Sequence, residues 1–172
     1  EIYQCDWSSD VCSSDLIVAD LDQHRNPLHV AIENWQHDLN IGSIVRTANA
    51  FNVSGVHIIG RKQWNQRGAM VTDKYLSVYH HPDVEQFKTW AASLQLTIIG
   101  IDNIEGSEPL EKAELPEHCV LLFGQEGPGL SGDAVSVCEK ILHITQYGST
   151  RSMNAAAAGA IAMYAWALQN VR

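Results

Sequence analysis

The chain has 172 residues, 45% of them hydrophobic and 18% charged, which is enough apolar material for one domain with its own core and too much for a disordered chain. Its formal charge of −9 argues, at first sight, against a nucleic-acid partner. No apolar run is long enough to span a bilayer, and the N-terminus lacks the basic-then-apolar order of a secretory signal, so a cytoplasmic protein is expected.

Residues 1–16 stand apart. They contain SSD twice, two cysteines and no Lys or Arg, and they show no sustained helical or strand period. We read them as a non-native leader, with residues 17–172 forming a single domain. Without the leader, Glu1, Asp6, Asp10 and Asp15 drop out, leaving 16 acids against 11 bases. The remaining charge is uneven. From Ile44 to Lys88 there are six bases and three acids, and from Asp102 to Glu117 six acids and only Lys112. One part of the chain is therefore suited to phosphate, and another to a solvated acidic surface. Cys119 and Cys138 lack CxxC spacing and are expected as reduced thiols.

In chain order, 28–32 reads as an apolar strand ending at Glu33-Asn34. Residues 41–51 place Ile41, Ile44, Val45 and Ala48 at helical spacing, with Asn40 as cap. A strand over 55–59 closes at Gly60. A polar, basic loop follows at 61–68, then a short helix near 69–75 and a short strand over 76–79. Val84, Phe87, Ala91 and Leu94 predict a helix over 84–94. Strands are expected at 97–101, 120–123 and 141–144, helices at 131–139 and 154–169, and an acidic loop with at most a helical turn up to 117. Short strands that are apolar on both faces and alternate with helices predict a parallel sheet covered on both sides.

Three segments beside strand ends carry chemistry, since open α/β sheets hold ligands there. The first, Asn40-Ile41-Gly42-Ser43-Ile44-Val45-Arg46, sets an arginine on a helix with an apolar opposite face; its planar fork suits a phosphate. The second, Gly124-Gln125-Glu126-Gly127-Pro128-Gly129-Leu130, runs from a strand through three glycines into a helix, which lets backbone approach a ligand. It is neither a Walker loop nor a dinucleotide fingerprint. The third runs from Ile144 through a polar loop to Ser152-Met153-Asn154, then four alanines. Each also has a plain reading: a surface arginine, a tight turn, an N-cap with close helix packing.

Taken together, the three segments resemble the ordered motifs of SpoU/TrmH-type RNA methyltransferases of the SPOUT superfamily. Asn40, Gly42 and Arg46 match the first, and Gly124, Glu126, Gly127, Gly129 and Leu130 the second. Ile144, Ser152, Asn154 and Ala158 match the third, with Met153 in place of the usual leucine. The resemblance covers roughly residues 28–170. It implies an α/β sheet whose C-terminal part is threaded into a trefoil knot, a homodimer, and S-adenosylmethionine bound within the knot. It also implies methyl transfer to a ribose 2′-hydroxyl of tRNA or rRNA.

By that resemblance Arg46 activates the hydroxyl, helped by a substrate phosphate. A guanidinium is a poor base, so electrostatic positioning of the phosphate and the developing alkoxide is the physically preferred version. Asn40 and Glu126 would orient Arg46 and the ribose, and Ser152 and Asn154 would line the boundary between cofactor and substrate. Gly124, Gly127, Gly129, Leu130, Ile144, Ser152, Met153 and Asn154 are the expected cofactor contacts. For RNA, Arg46, Arg61, Lys62 and Arg67 would hold phosphates and Trp64 would stack on a base or pack inward. No metal-ligand spacing is visible. The alternatives are a catalytically inactive SPOUT domain that binds RNA and a base-methylating SPOUT enzyme.

Overall fold

A computed structural model describes residues 14–35, 40–150 and 152–171. Seven strands form one sheet in the order β3-β2-β1-β6-β4-β7-β5, and every recorded pairing is parallel. The strands are β1 (Asn26–Asn34), β2 (Val53–Gly60), β3 (Val78–His81), β4 (Thr97–Ile101), β5 (Glu108–Pro109), β6 (Cys119–Phe123) and β7 (Lys140–His143). The helices are α1 (Ser14–Asp22), α2 (Asn40–Ala50), α3 (Val84–Ser93), α4 (Gly132–Val137) and α5 (Ala155–Asn170).

Two cores follow from the period-2 alternation of side chains along the strands. Val30 and Ile32 of β1 and Leu121 and Phe123 of β6 face α2 and α5, where they meet Ile41, Ile44, Ala162, Met163 and Trp166. Ala31, Val120 and Leu122 point the other way, onto Val84, Phe87 and Ala91 of α3 and Ala134 of α4. The helices therefore cover both faces, as the apolar strand runs require.

Some expectations change. Helix α1 begins at Ser14, so the stretch read as a leader overlaps an ordered element by three residues; Cys5, Cys12 and the rest of it lie outside the described residues. The short helix near 69–75 is instead two 3₁₀ turns, Gln66–Ala69 and Thr72–Lys74. Met70 and Val71 between them have φ of 49° and 69°, which breaks a continuous helix. Strand β3 starts two residues later than expected, and the acidic segment contributes the edge strand β5. Asn40 is the first residue of α2 rather than its cap. Cys119 and Cys138 are free thiols, and burial pushes both up to about 12.

The histidines include a ladder that sequence spacing does not show. His29, His57 and His81 stand on neighbouring strands, on the α3 face. His29 Nδ1 lies 3.1 Å from His57 Nε2, and His57 Nδ1 lies 3.0 Å from His81 Nε2. Trp90 covers His57 with ring centroids 3.8 Å apart, and Tyr79 stacks on it. The adjacent His80 points away and reaches the Gly60 carbonyl at 2.7 Å.

Burial, then the neighbouring imidazoles His29 and His81, lowers His57 to about 2, and burial lowers His29 to about 4. Both folded values lie below the ordinary 6.5, so the unfolded chain takes up protons first as pH falls. Stability is then intact above about pH 6.5 and is lost as pH falls towards the folded values; His57 alone should cost about 2 kcal/mol by pH 5. Urea midpoints at pH 7.5, 6 and 5 should drop steeply for the native chain and less for His57→Gln. Equal slopes would show that the ladder does not control the acid response.

Candidate active site

The site forms at the carboxyl ends of the adjacent strands β6, β4 and β7, where a parallel sheet leaves a crevice between its loops. Each strand feeds one wall of a cavity of about 300 Å³. Asp102 and Asn103 follow β4, Gly124 to Gly127 and Gly129 follow β6, and Ile144 and Gln146 follow β7. Ser152, Met153, Asn154, Ala155 and Ala158, at the start of α5, close it.

One amide joins the three motifs. Asn40 Nδ2 donates to Glu126 Oε2 at 2.7 Å, and Asn40 Oδ1 accepts from Asn154 Nδ2 at 2.8 Å. Asn154 Oδ1 meanwhile accepts from the Ala156 and Ala157 amides at 2.9 and 3.3 Å, capping α5. Asn154 is thus both the N-cap and a member of the site, so the plain and functional readings hold together. Asn40 is buried and Glu126 is exposed on the cavity rim.

The Gly-rich loop is a tight reversal, with mutual backbone bonds between Gln125 and Gly129 at 3.1 and 3.0 Å. A Cβ on Gly124 would collide with the backbone of Gly129 and Leu130. Gly124 is therefore needed first for the loop to close on itself, before any ligand is considered. Gly129, at φ 73°, leaves room for the Asp102 carboxylate, which a Cβ there would strike. Glu33, fully buried at the end of β1, accepts from the Ser131 amide at 2.8 Å and hydroxyl at 2.6 Å. That bond fixes the point where the loop enters α4.

Leu130 departs from its expected role. Its side chain packs in the α3–α4 core, and its amide donates to Asp102 Oδ2 at 2.8 Å. The other expected cofactor residues, Gly124, Gly127, Gly129, Ile144, Ser152, Met153 and Asn154, line the cavity. Asp102 and Gln125 also line it and were not singled out, because a lone acid in an acidic stretch and a glutamine in a turn carry no distinctive spacing.

Arg46 is exposed on α2 and lies outside the cavity lining. It follows Gly42 by one helical turn and shares its face. A Cβ on Gly42 would meet the Asn65 carbonyl, Gly68 Cα and Ala69 amide, all at 2.9 Å, so the basic loop docks flush on that face. Asn34 Nδ2 holds the loop's other end through the Arg61 and Gln63 carbonyls at 2.8 and 2.9 Å. Arg61, Lys62 and Arg67 are exposed. Trp64 is half-buried against the α2–α5 core, which limits it as a free stacking platform.

A family model described as the SpoU rRNA Methylase family matches residues 27–164. The chain belongs to that family. An uncharacterized tRNA/rRNA methyltransferase of Synechocystis sp. is 29% identical over 154 residues, covering 87% of this chain and 40% of that protein. The chain spans about half the length, or less, of the curated relatives it matches first. The SpoU methyltransferase AviRb from Streptomyces viridochromogenes, solved with the cofactor AdoMet, superposes with a TM-score of 0.74 at 23% identity, covering 84% of this chain and 58% of that one. A structure described as giving insights into the 2-OH methylation of C/U34 on tRNA has a TM-score of 0.71 at 25% identity. It covers 83% of this chain and 95% of that one.

Asn40→Ala should remove the two hydrogen bonds that join Asn154 and Glu126 through Asn40 and, because both of those residues are exposed and can turn to water, cost about 1 kcal/mol. Asn40→Asp should cost more at pH 7, because it sets a second carboxylate against Glu126, and that excess should shrink at pH 4 as the pair takes up a proton. Chemical denaturation of both variants at the two pH values checks this; a pH-independent difference would mean that Asn40 and Glu126 do not meet.

Proposed function

We propose that this chain is the methyltransferase domain of an S-adenosylmethionine-dependent enzyme that methylates a ribose 2′-hydroxyl in tRNA or rRNA. The observation that carries the reading is the Asn40 amide, which ties the first motif to Glu126 and Asn154 of the cavity lining. The cavity suits the cofactor in kind. It offers loop backbone for polar edges, Ile144, Met153, Ala155 and Ala158 for apolar area, and the Asp102 and Glu126 carboxylates for positive charge. AviRb with its bound AdoMet supports the cofactor, and the tRNA 2-OH methylation structure supports the ribose as acceptor. The C-terminal threading into a trefoil, implied by the motifs, is part of this reading, as is a cytoplasmic location.

When bound, S-adenosylmethionine supplies an electrophilic methyl group on a sulfonium. The loops after β6 and β7 hold it and keep water out. Arg46, exposed on α2 outside the cavity, meets the RNA. Its guanidinium holds a substrate phosphate and stabilises the negative charge that grows on the ribose oxygen. Asn40 would hold Glu126 in place and Glu126 would orient the ribose, while Ser152 and Asn154 would line the boundary between the two ligands. Arg61, Lys62 and Arg67, on a loop docked to the helix that carries Arg46, extend the phosphate-binding surface. The arginine in the first motif supports ribose over base as the acceptor, and the intact Glu126, Ser152 and Asn154 argue against an inactive RNA-binding domain.

Arg46→Ala should keep the fold and cofactor affinity and lose about 10²–10³ in methyl transfer, since Arg46 is exposed and outside the cavity. Arg46→Lys should recover only part of the rate. The assay is transfer of labelled methyl to RNA, with 2′-O-methylation scored as resistance to alkaline cleavage at the modified nucleotide. Label found on a base, or a native rate for Arg46→Ala with saturating RNA, would overturn the reading.

The homodimer is proposed from α5. Ile161, Tyr164 and Leu168 form one stripe at helical spacing, exposed by 41%, 57% and 67%. Light scattering should give a dimer at micromolar concentration and a monomer for Tyr164→Asp. A native monomer would remove this part of the proposal.

A further inference from the structure

The geometry points to Asp102 as the residue that makes the cavity prefer the cofactor, with its positive sulfonium, over the product, whose sulfur is neutral; this rests on the cofactor reading above. Asp102 sits at the end of β4, half-buried on the cavity wall. Its Oδ2 accepts from the Leu130 amide at 2.8 Å and its Oδ1 from the Asn103 amide at 2.7 Å. Those donors orient the carboxylate without neutralising it. Among the described residues it forms no ion pair. Gly129, with its positive φ, keeps free the space the carboxylate occupies. The loop is therefore shaped around an acid that no cation among the described residues meets.

The other ionisable group among the described lining residues is Glu126, also acidic. A half-buried carboxylate without a counter-ion is costly unless a ligand brings the charge. S-adenosylmethionine carries a sulfonium; S-adenosylhomocysteine carries a neutral thioether in the same place. Methyl transfer forms the O–CH₃ bond, breaks the S–CH₃ bond and returns its electron pair to sulfur, with the hydroxyl proton released to solvent. The attraction to Asp102 is thus present before transfer and gone after it, which speeds product departure and limits product inhibition.

Calorimetry with S-adenosylmethionine and S-adenosylhomocysteine tests this on the native protein, Asp102→Asn and Asp102→Glu. Asparagine keeps an oxygen for the Leu130 amide but loses the acceptor for the Asn103 amide along with the charge, and the lost acceptor falls on both ligands alike. It should weaken S-adenosylmethionine about tenfold, the order expected of one charge pair in a partly solvated site, and leave S-adenosylhomocysteine within twofold. Asp102→Glu should recover part of the preference. In the native protein, salt should weaken the charged ligand more than the neutral one, a result that stands even if a variant fails to fold. Equal losses for both ligands, or an equal salt response, would overturn the inference and leave Asp102 holding the loop or meeting the α-ammonium that both ligands share. Binding of neither ligand to the native protein would instead overturn the cofactor reading.

Discussion

The site depends on the direction of one hydrogen-bonded chain. Two backbone amides at the start of α5 need an acceptor, and Asn154 Oδ1 supplies it. Asn154 must then turn its NH₂ towards Asn40, which must answer with oxygen and so turn its own NH₂ to Glu126. The chain ends on a carboxylate, which only accepts. Its polarity is therefore set by the helix terminus and cannot be reversed without orphaning backbone donors. Three segments separated by 86 and 114 residues in sequence are held in one arrangement by amides that have no alternative orientation.

The end of β1 does similar work from below. Glu33 and Asn34 are adjacent and point to opposite faces, as strand neighbours must. Glu33 clamps the Ser131 turn after the Gly-rich loop, while Asn34 clamps the basic loop. One central strand thus sets the position of both the cavity loop and the phosphate-facing loop. Because β1 lies between β2 and β6 in a parallel sheet, these loops emerge on the same edge of the sheet.

The parallel sheet was legible because its strands are apolar on both faces, and the site was legible where residues recur at fixed spacing: Asn40 with Arg46, the glycines with Glu126, Ser152 with Asn154. Other features were not, for physical reasons. Asp102 matters through the conformation of a glycine 27 residues later, which spacing does not encode. The histidine ladder arises from the register of three strands. Leu130 looks like part of the ligand loop, but it is where the chain turns back into the core. Gly124 looked reserved for a ligand, yet its space is taken by the loop's own backbone. A two-residue edge strand and two 3₁₀ turns are too short to leave a period.

Helix α5 has a further consequence. Its first turn is capped by a residue of the site, its middle exposes an apolar stripe, and its last turn is pinned by Trp166, Gln169 and Asn170 to the chain between Ala113 and Pro116. The first turn, the stripe and the pinned last turn lie on one continuous helix. If an occupant of the stripe alters the order of the first turn, it acts where a ligand of the site would also act. Thermodynamic reciprocity then applies: occupancy at one end of the helix and association along its side must favour, or disfavour, each other by the same factor.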